Sequence, residues 1–358
     1  MPNHYVEPTL FPHGRVPVPK QTTMSRISSF CAPVLACCGS LAGAAAADAA
    51  IWPSALPKYD HIVIVVEENK DYDQIIGNPT APYLNKLTAE GANLLNMFGE
   101  EHASQGNYFW LFSGSNQNVG FLDHVPETKF TTSNLGQQLI LRGLSFKGYS
   151  QSLPAIGSEA DTAPADCRRS CVYGRKHVPW ISFANVPNGT AIETSCNLRF
   201  ADFPADFSQL PTIAFVIPDM EHDMHNGAPE KSVPAGDEWL KQFIGPYFQW
   251  AKTHNSLLIV TFDENNDRTG ITGLTDPGID PDRDQSRRDR QNHIPTIVAG
   301  AFVKPNYAEP ARMTHVNLLR TIEAMYRLPR SGAQQPNALQ AGIGDDTTAA
   351  NVFTAADQ

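Results

Sequence analysis

His61-Ile62-Val63-Ile64-Val65-Val66-Glu67-Glu68-Asn69 sets a run of apolar, β-branched side chains directly against two carboxylates and a carboxamide. Five apolar residues in a row, without alternation, read as a strand buried on both faces, as parallel strands covered by helices are. Oxygen ligands at its carboxyl end then fall where open α/β sheets place their active sites. The pattern returns near the far end, where the apolar run at 257–262 stops at Asp263-Glu264-Asn265-Asn266. Between the two lies His102-Ala103-Ser104-Gln105-Gly106-Asn107-Tyr108, a hydroxyl beside an imidazole and a carboxamide. Two strands ending in acid and amide clusters, with a candidate nucleophile between them, predict a metal-assisted hydrolase.

Working outward, strands are expected at about 61–66, 92–98, 144–150, 212–217, 256–262 and 295–298. Helices are expected at about 81–90, from Ser104 to 114, and at 133–142, 237–253 and 315–326. The segment 237–253 carries Leu240, Phe243, Ile244, Phe248 and Trp250 on a helical period. This alternation predicts an α/β protein, a three-layer α/β/α sandwich around a mainly parallel sheet. A helix opening at Ser104 brings free N–H groups and a positive dipole end to the hydroxyl, which suits a phosphate. Residues 151–208 lack periodicity and are expected to form an irregular insertion that shapes a substrate mouth. Residues 268–290 read as a charged loop, and the tail after Ser331 as loosely ordered.

Lys plus Arg number 27 against 37 Asp plus Glu, a formal charge of −10 over 358 residues. That balance argues against nucleic acid as a partner, which needs a basic footprint. It leaves phosphate substrates open, because a metal ion and local His or Lys reverse the field inside one cleft. Residues 1–47 are read as an N-terminal extension and signal peptide, and 48–358 as one domain. Met24 suits a start, Arg26 the positive n-region, and Ala45 and Ala47 cleavage before Asp48. Export to the periplasm or medium follows. A lipid-anchored form through Cys37 is the lesser alternative, since Val34-Leu35-Ala36-Cys37 is similar to a lipoprotein box. No stretch offers the ~20 apolar residues of a transmembrane helix. Of the cysteines beyond the signal, Cys167, Cys171 and Cys196, two are expected to pair and one to remain a thiol.

The segments HIVIVVEENKDYDQIIGN, APYLNKL, HASQGNYFWLFSGS, PDMEHDMHNG, GDEWL, LLIVTFDENN, NHIPTIVAG and THVNLLRTIEAMYRLP run in this order over roughly residues 60–330. Together they resemble the bacterial phosphoesterase family of secreted acid phosphatases and phosphatidylcholine-type phospholipases C, on the alkaline-phosphatase-like fold. The resemblance implies Ser104 as a metal-bound nucleophile passing through a phosphoserine; the competing reading makes Ser104 only a helix N-cap. The family pattern is close to His-Pro-Ser-x-Pro-Asn-Tyr, and this chain has Ala103 and Gly106 where the prolines sit. Glu68 with Asn69, and Asp263 with Glu264, match the family's metal-binding pairs, with Ser104 completing the set. Hard oxygen ligands favour Ca²⁺, Mg²⁺ or Mn²⁺, with Zn²⁺ or iron as alternatives.

The resemblance further assigns His102, His225, Asp223 and His293 to phosphate binding and leaving-group protonation, and the Asn107 amide to donating a hydrogen bond to phosphate; His293 precedes a buried strand and is equally open to a purely structural role. His222 stands where Asn is common, and His315 is expected to cap or pack. Glu67 alternates to the opposite face and is read as a solvated strand-end acid. His61, His124, His177 and His254 receive no role. The function implied is an acid phosphatase acting on small phosphate monoesters. Alternatives are a phospholipase C, whose family members are typically longer, and an inactive surface-binding member. The Arg-containing motif of sulfatases is absent.

Overall fold

The first strand, β1 (His61–Glu67), is buried from Ile62 to Glu67, as its unbroken apolar run requires. In the computed structural model, which describes residues 51–52, 56–119, 123–167, 170–266 and 292–354, it lies near the middle of an eight-stranded sheet. The other strands are β2 (Ala92–Phe98), β3 (Phe146–Ser150), β4 (Thr162–Ala163), β5 (Tyr173–Gly174), β6 (Asn197–Arg199), β7 (Ile213–Ile217), β8 (Ser256–Phe262), β9 (Thr296–Gly300) and β10 (Tyr307–Thr314). The sheet order is β10-β2-β9-β8-β1-β7-β3-β6, while β4 and β5 pair as a separate ribbon. Within the eight-stranded sheet β9 runs antiparallel to its neighbours β2 and β8, and the other pairs of that sheet are parallel. Val63 stands level with Ala214 of β7 and Leu258 of β8, so these three strands end at one edge.

The helices are α1 (Tyr72–Ile75), α2 (Pro82–Glu90), α3 (Ser104–Ser113), α4 (Leu135–Leu141), α5 (Pro229–Trp239), α6 (Gly245–Ala251), α7 (His315–Tyr326) and α8 (Pro336–Gln340). α3 packs with α4 and α7, and α2 packs with α5 while α6 lies on β8 and β9, which completes the three-layer sandwich. Every residue of α3 is buried, although the segment has no amphipathic period. A helix buried on every face lies inside the protein, and here it carries the candidate nucleophile at its head.

Four expectations need correction. The helix expected from 237 begins at Pro229, contains Pro234, and passes through a π-helical turn at Leu240–Ile244. Pro229 sits in the first turn, where a missing N–H costs nothing, so it opens this helix, while Pro234 lies inside it. Strand β6 lies inside the segment expected to be irregular. β10 was hidden by Pro310, which an edge strand tolerates at the bulge between Glu309 and Arg312. The tail beyond Ser331 is packed: Ser331, Gln334, Ile343, Ala349 and Val352 are buried. Its anchor is the fully buried Arg320, whose guanidinium donates to Glu323 Oε2 (2.8 Å), Ser331 O (2.9 Å) and Asp345 Oδ1 (3.0 Å). The charged loop at 268–290 lies outside the described residues.

The insertion between β3 and β7 is fastened to the sheet by Trp180. Its indole is buried against Phe146 and Phe215 and donates to Asn197 Oδ1 at 3.1 Å. Gly148 of β3 makes room for it: an added Cβ would stand 2.1 Å from the ring. Within the insertion Cys167 and Cys171 form a disulfide and Cys196 is a buried thiol.

Candidate active site

Three neighbouring parallel strands, β8, β1 and β7, each run directly into an acidic residue or loop at their shared carboxyl edge. The loops are laced together by backbone bonds: Asp263 N–H donates to Glu67 O (3.0 Å) and Glu68 N–H to Asp223 O (2.7 Å). Asn69 N–H donates to Asp263 Oδ1 at 2.9 Å. Asn69 itself turns the chain in the left-handed region (φ 54°), a conformation Asn tolerates better than most residues. Parallel register thus gathers Glu68, Asp223 and Asp263 from positions far apart in sequence.

Glu68 is the hub, and its two oxygens face different groups. Oε2 accepts from Asn69 Nδ2 (2.8 Å) and from Ser104 Oγ (3.2 Å). Oε1 accepts from Tyr108 Oη at 2.7 Å and stands 3.1 Å from His177 Nε2. His177 Nδ1 is 3.9 Å from Asp223 Oδ2, and its ring stacks on Tyr108. Ser104 is the first residue of α3; the cap position is Ala103, so the Ser104 hydroxyl turns to Glu68 rather than capping the helix. His102 Nδ1 lies 2.5 Å from Glu264 Oε2.

The electrostatics call for a cation. Glu68, Asp223 and Asp263 are all buried, and Asp223 Oδ2, Asp263 Oδ2 and His177 Nε2 make no hydrogen bond among the described residues. Burial, reinforced by Asp223, lifts the Glu68 carboxyl to about 8. Burial first, and neighbouring carboxylates after it, also push Asp223 and Asp263 well above the usual range. Burial holds the His177 imidazole well below its ordinary value, hence neutral with a lone pair to offer. One ligand atom each from Glu68, His177 and Asp223 lies within 4.8 Å of the others. Two carboxylates and a neutral imidazole, all three buried, fit a divalent metal ion. Lys70 supplies fixed positive charge nearby, its ammonium donating to Met224 O (2.6 Å) and Asn69 O (3.0 Å).

A cavity of about 640 Å³ opens beside this centre, lined among others by His225, Lys176, Asp123, Asn226 and Met220. His225 Nδ1 pairs with Asn226 Oδ1 at 3.0 Å, so its other ring nitrogen is the one available to a ligand.

The expected residues do not all converge. Glu68, Asn69, Ser104, Asp223 and Asp263 are drawn together, with His102 and Glu264 as an adjoining pair. Asn107 is used otherwise: its Oδ1 accepts from Glu100 N (3.0 Å) and Glu101 N (3.1 Å), and its Nδ2 donates to Glu101 O (2.5 Å). It ties the loop before α3 rather than pointing a free amide at phosphate. His293 is placed as a structural residue, with Nε2 on Leu95 O (2.8 Å) and its ring between Tyr72 and Phe98. His222 pairs with Asp219 at 2.7 Å and stacks on Trp239. His315 packs inside, between Glu100 and the Phe262 carbonyl. Glu67 is a correction, for it is buried rather than solvated, and neither carboxyl oxygen has a hydrogen-bond partner among the described residues. His177 and Tyr108 were missed. Tyr108 was legible, lying in the family segment around Ser104; His177 sits in a 3-10 turn of the aperiodic insertion, where no local pattern marks it.

Comparisons with known proteins bear on this centre. The Phosphoesterase family model matches residues 78–329. A phosphatidylinositol-3-phosphatase of Mycobacterium tuberculosis is 40% identical over 283 residues, covering 78% of this chain and 81% of that protein. A probable acid phosphatase of Kluyveromyces lactis is 26% identical over 291 residues, 78% of this chain but only 61% of that longer protein. Among solved structures, a protein in the alkaline phosphatase superfamily from Vibrio parahaemolyticus superposes with a TM-score of 0.51 at 12% identity. That match covers 77% of this chain and 68% of that one, and it speaks to the fold.

Proposed function

The chain belongs to the Phosphoesterase family and is a phosphoric ester hydrolase, and from that premise we propose that it cleaves phosphate monoesters through Ser104 with a divalent metal ion. The observation that carries this reading is the Ser104 hydroxyl at the head of a buried helix, hydrogen-bonded to Glu68 beside Asp223 and Asp263, each with one carboxylate oxygen unpartnered among the described residues. The names of both relatives, each a phosphatase, support a monoester over the phosphodiester of a phospholipase C.

Glu68, His177 and Asp223 would hold the metal, with Asp263 facing the same cluster. When bound, the ion supplies positive charge that neutralises the phosphoryl oxygens and acidifies the nucleophile. The imidazole in the set widens the choice from Ca²⁺ and Mg²⁺ toward Mn²⁺, Fe²⁺ and Zn²⁺. Ser104 attacks phosphorus and gives up its proton to the carboxylate network through Glu68. The N–H groups at the start of α3 face the phosphoryl group. His225, at the cavity wall, protonates the departing alcohol, and the same imidazole then activates the water that releases phosphate from Ser104. Tyr108 and Asn69 keep Glu68 oriented while this happens.

The cavity is proposed to receive the alcohol part of the ester; a phosphoinositide headgroup is the candidate drawn from the relative in Mycobacterium. Export is proposed from the signal-like residues 1–47, supported by the Cys167–Cys171 disulfide, a bond of oxidising compartments. No helix among the described residues is long and apolar enough to cross a membrane.

The test is p-nitrophenyl phosphate hydrolysis across pH, with Ser104→Ala and a chelated sample alongside. Turnover lost by at least ~10³-fold in Ser104→Ala, and restored to the chelated sample by metal, is the expected result. Turnover that survives Ser104→Ala removes the nucleophile. Activity on p-nitrophenyl phosphorylcholine alone would shift the reading to a phosphodiesterase.

A further inference from the structure

The Asp123 carboxylate is held in an unusual seat. Its Oδ1 accepts from Gln105 N–H at 3.1 Å, and its Oδ2 accepts from Lys176 Nζ at 2.8 Å. Gln105 follows Ser104 at the head of the ten-residue helix α3, and Lys176 precedes His177 in its 3-10 turn. The carboxylate therefore bridges the element that carries the nucleophile and the element that carries a candidate metal ligand. The Gln105 amide side chain holds the same segment by donating to His124 O at 2.6 Å. Asp123, His124 and Lys176 also line the cavity together with His225. His177 Nε2, beside Lys176, is buried and without a hydrogen-bond partner among the described residues.

Asp123 stands on the cavity wall, and what receives its carboxylate is positive. Here the receivers are a lysine ammonium and a backbone N–H at a helix start, two groups that bind phosphoryl oxygens. We infer that Lys176 binds the phosphoryl group of the substrate and that Asp123 occupies that place until substrate arrives. This rests on the phosphoesterase reading above and adds to it a binding residue and an internal competitor. A phosphate ester brings up to two negative charges and three free oxygens against one charge and two oxygens. It displaces Asp123 from both donors, and Asp123 then turns to the cavity, where it is already one-third exposed.

The two halves of the pair are distinguishable because they carry opposite signs. Isothermal titration of inorganic phosphate into the metal-loaded full chain is the readout, so that it stands apart from turnover. Lys176→Met should weaken phosphate at least ~10-fold, Lys176→Arg should recover most of the loss, and Asp123→Asn should tighten phosphate several-fold. Competition by phosphate against p-nitrophenyl phosphate should follow the same order. If the pair is only a structural tie, Lys176→Met and Asp123→Asn will weaken binding alike, and the inference is overturned. Unchanged affinity in a folded Lys176→Met, checked by its thermal melt, overturns it as well. A wild-type chain that binds phosphate normally but turns over no ester would sink the catalytic reading and leave this one standing.

Discussion

Replacing Asp223 by Asn should make the metal-free protein more stable while costing it its response to metal. Asp223 is fully buried, Oδ1 accepts from His225 N–H at 2.8 Å, and Oδ2 has no hydrogen-bond partner among the described residues. Glu68 and Asp263 crowd the same space. Removing one buried, under-partnered charge relieves about 1–3 kcal/mol. For the 312-residue unit from Ala47 to Gln358, an unfolding entropy of ~2.1 cal/mol/K per residue converts this to a rise of about 2–5 °C. Metal at one hundred times its dissociation constant stabilises the wild type by about 2.7 kcal/mol, or ~4 °C. Losing a ligand that weakens metal ~10–100-fold leaves the variant at most ~2 °C of that response. Thermal melts with chelator and with added Mn²⁺ or Zn²⁺ read all four values. A variant melting at or below wild type in chelator would refute the crowded-carboxylate argument. Equal metal responses would remove Asp223 from the ligand set.

Gly106→Ala should lower the melting temperature by about 2–5 °C, since the new Cβ would stand 1.7 Å from Glu101 Oε1, a carboxylate fixed by Asn116 at 3.1 and 3.0 Å. A melt and activity unchanged from wild type would mean that Glu101 yields freely. Trp180→Ala should destabilise by about 3–5 kcal/mol and weaken metal in the same variant, because the indole seats the insertion that bears His177; calorimetry and metal titration read both, and metal affinity held at wild-type level would uncouple them. His315 gives a pH signature. Nδ1 faces Glu100 Oε2 (2.8 Å) and Nε2 faces the Phe262 carbonyl (2.7 Å), two acceptors, so the folded ring carries both protons. Burial opposes that charge, yet Glu100 holds the imidazole above its ordinary 6.5. With a folded value above the unfolded one, its stabilisation is complete below about pH 6.5 and is lost as pH rises through the folded value. The stability difference between wild type and His315→Gln, followed by denaturant titration at pH 5 to 9, should shrink with rising pH; a flat difference contradicts the charged pair.

Much of this was legible because the central strands are buried on both faces and therefore written in uninterrupted apolar runs. β1 and β8 could be read almost to the residue, and the acids that follow them mark the catalytic edge. Elements whose identity depends on distant partners were not legible. β10 looks like a charged, proline-broken loop until β2 is seen beside it, and α5 opens on a proline that local reading takes as a stop. The tail looked loose because Arg320 reads as a surface residue in sequence, and only the fold shows that it needs acceptors from Ser331 and Asp345. The site divides the same way. Glu68, Asn69, Ser104 and Asp263 follow from strand ends and one motif, whereas His177 comes from an aperiodic turn whose position is set by a tryptophan and a glycine in another strand. Asn107 and His293 show the converse: residues that match a pattern, yet are spent on holding a loop and filling an aromatic stack.

That His177 reaches Glu68 from an insertion more than one hundred residues along the chain bears on when this protein becomes able to work. Short stretches of β1 and α3 form through neighbours in sequence, but this contact closes a long loop and is expected among the late events of folding. A chain whose insertion has not docked through Trp180 presents carboxylates without their imidazole. By the reading proposed above, it is then a poor metal trap. Metal capture would then be a proof of completion, registered only once the chain has seated its last module.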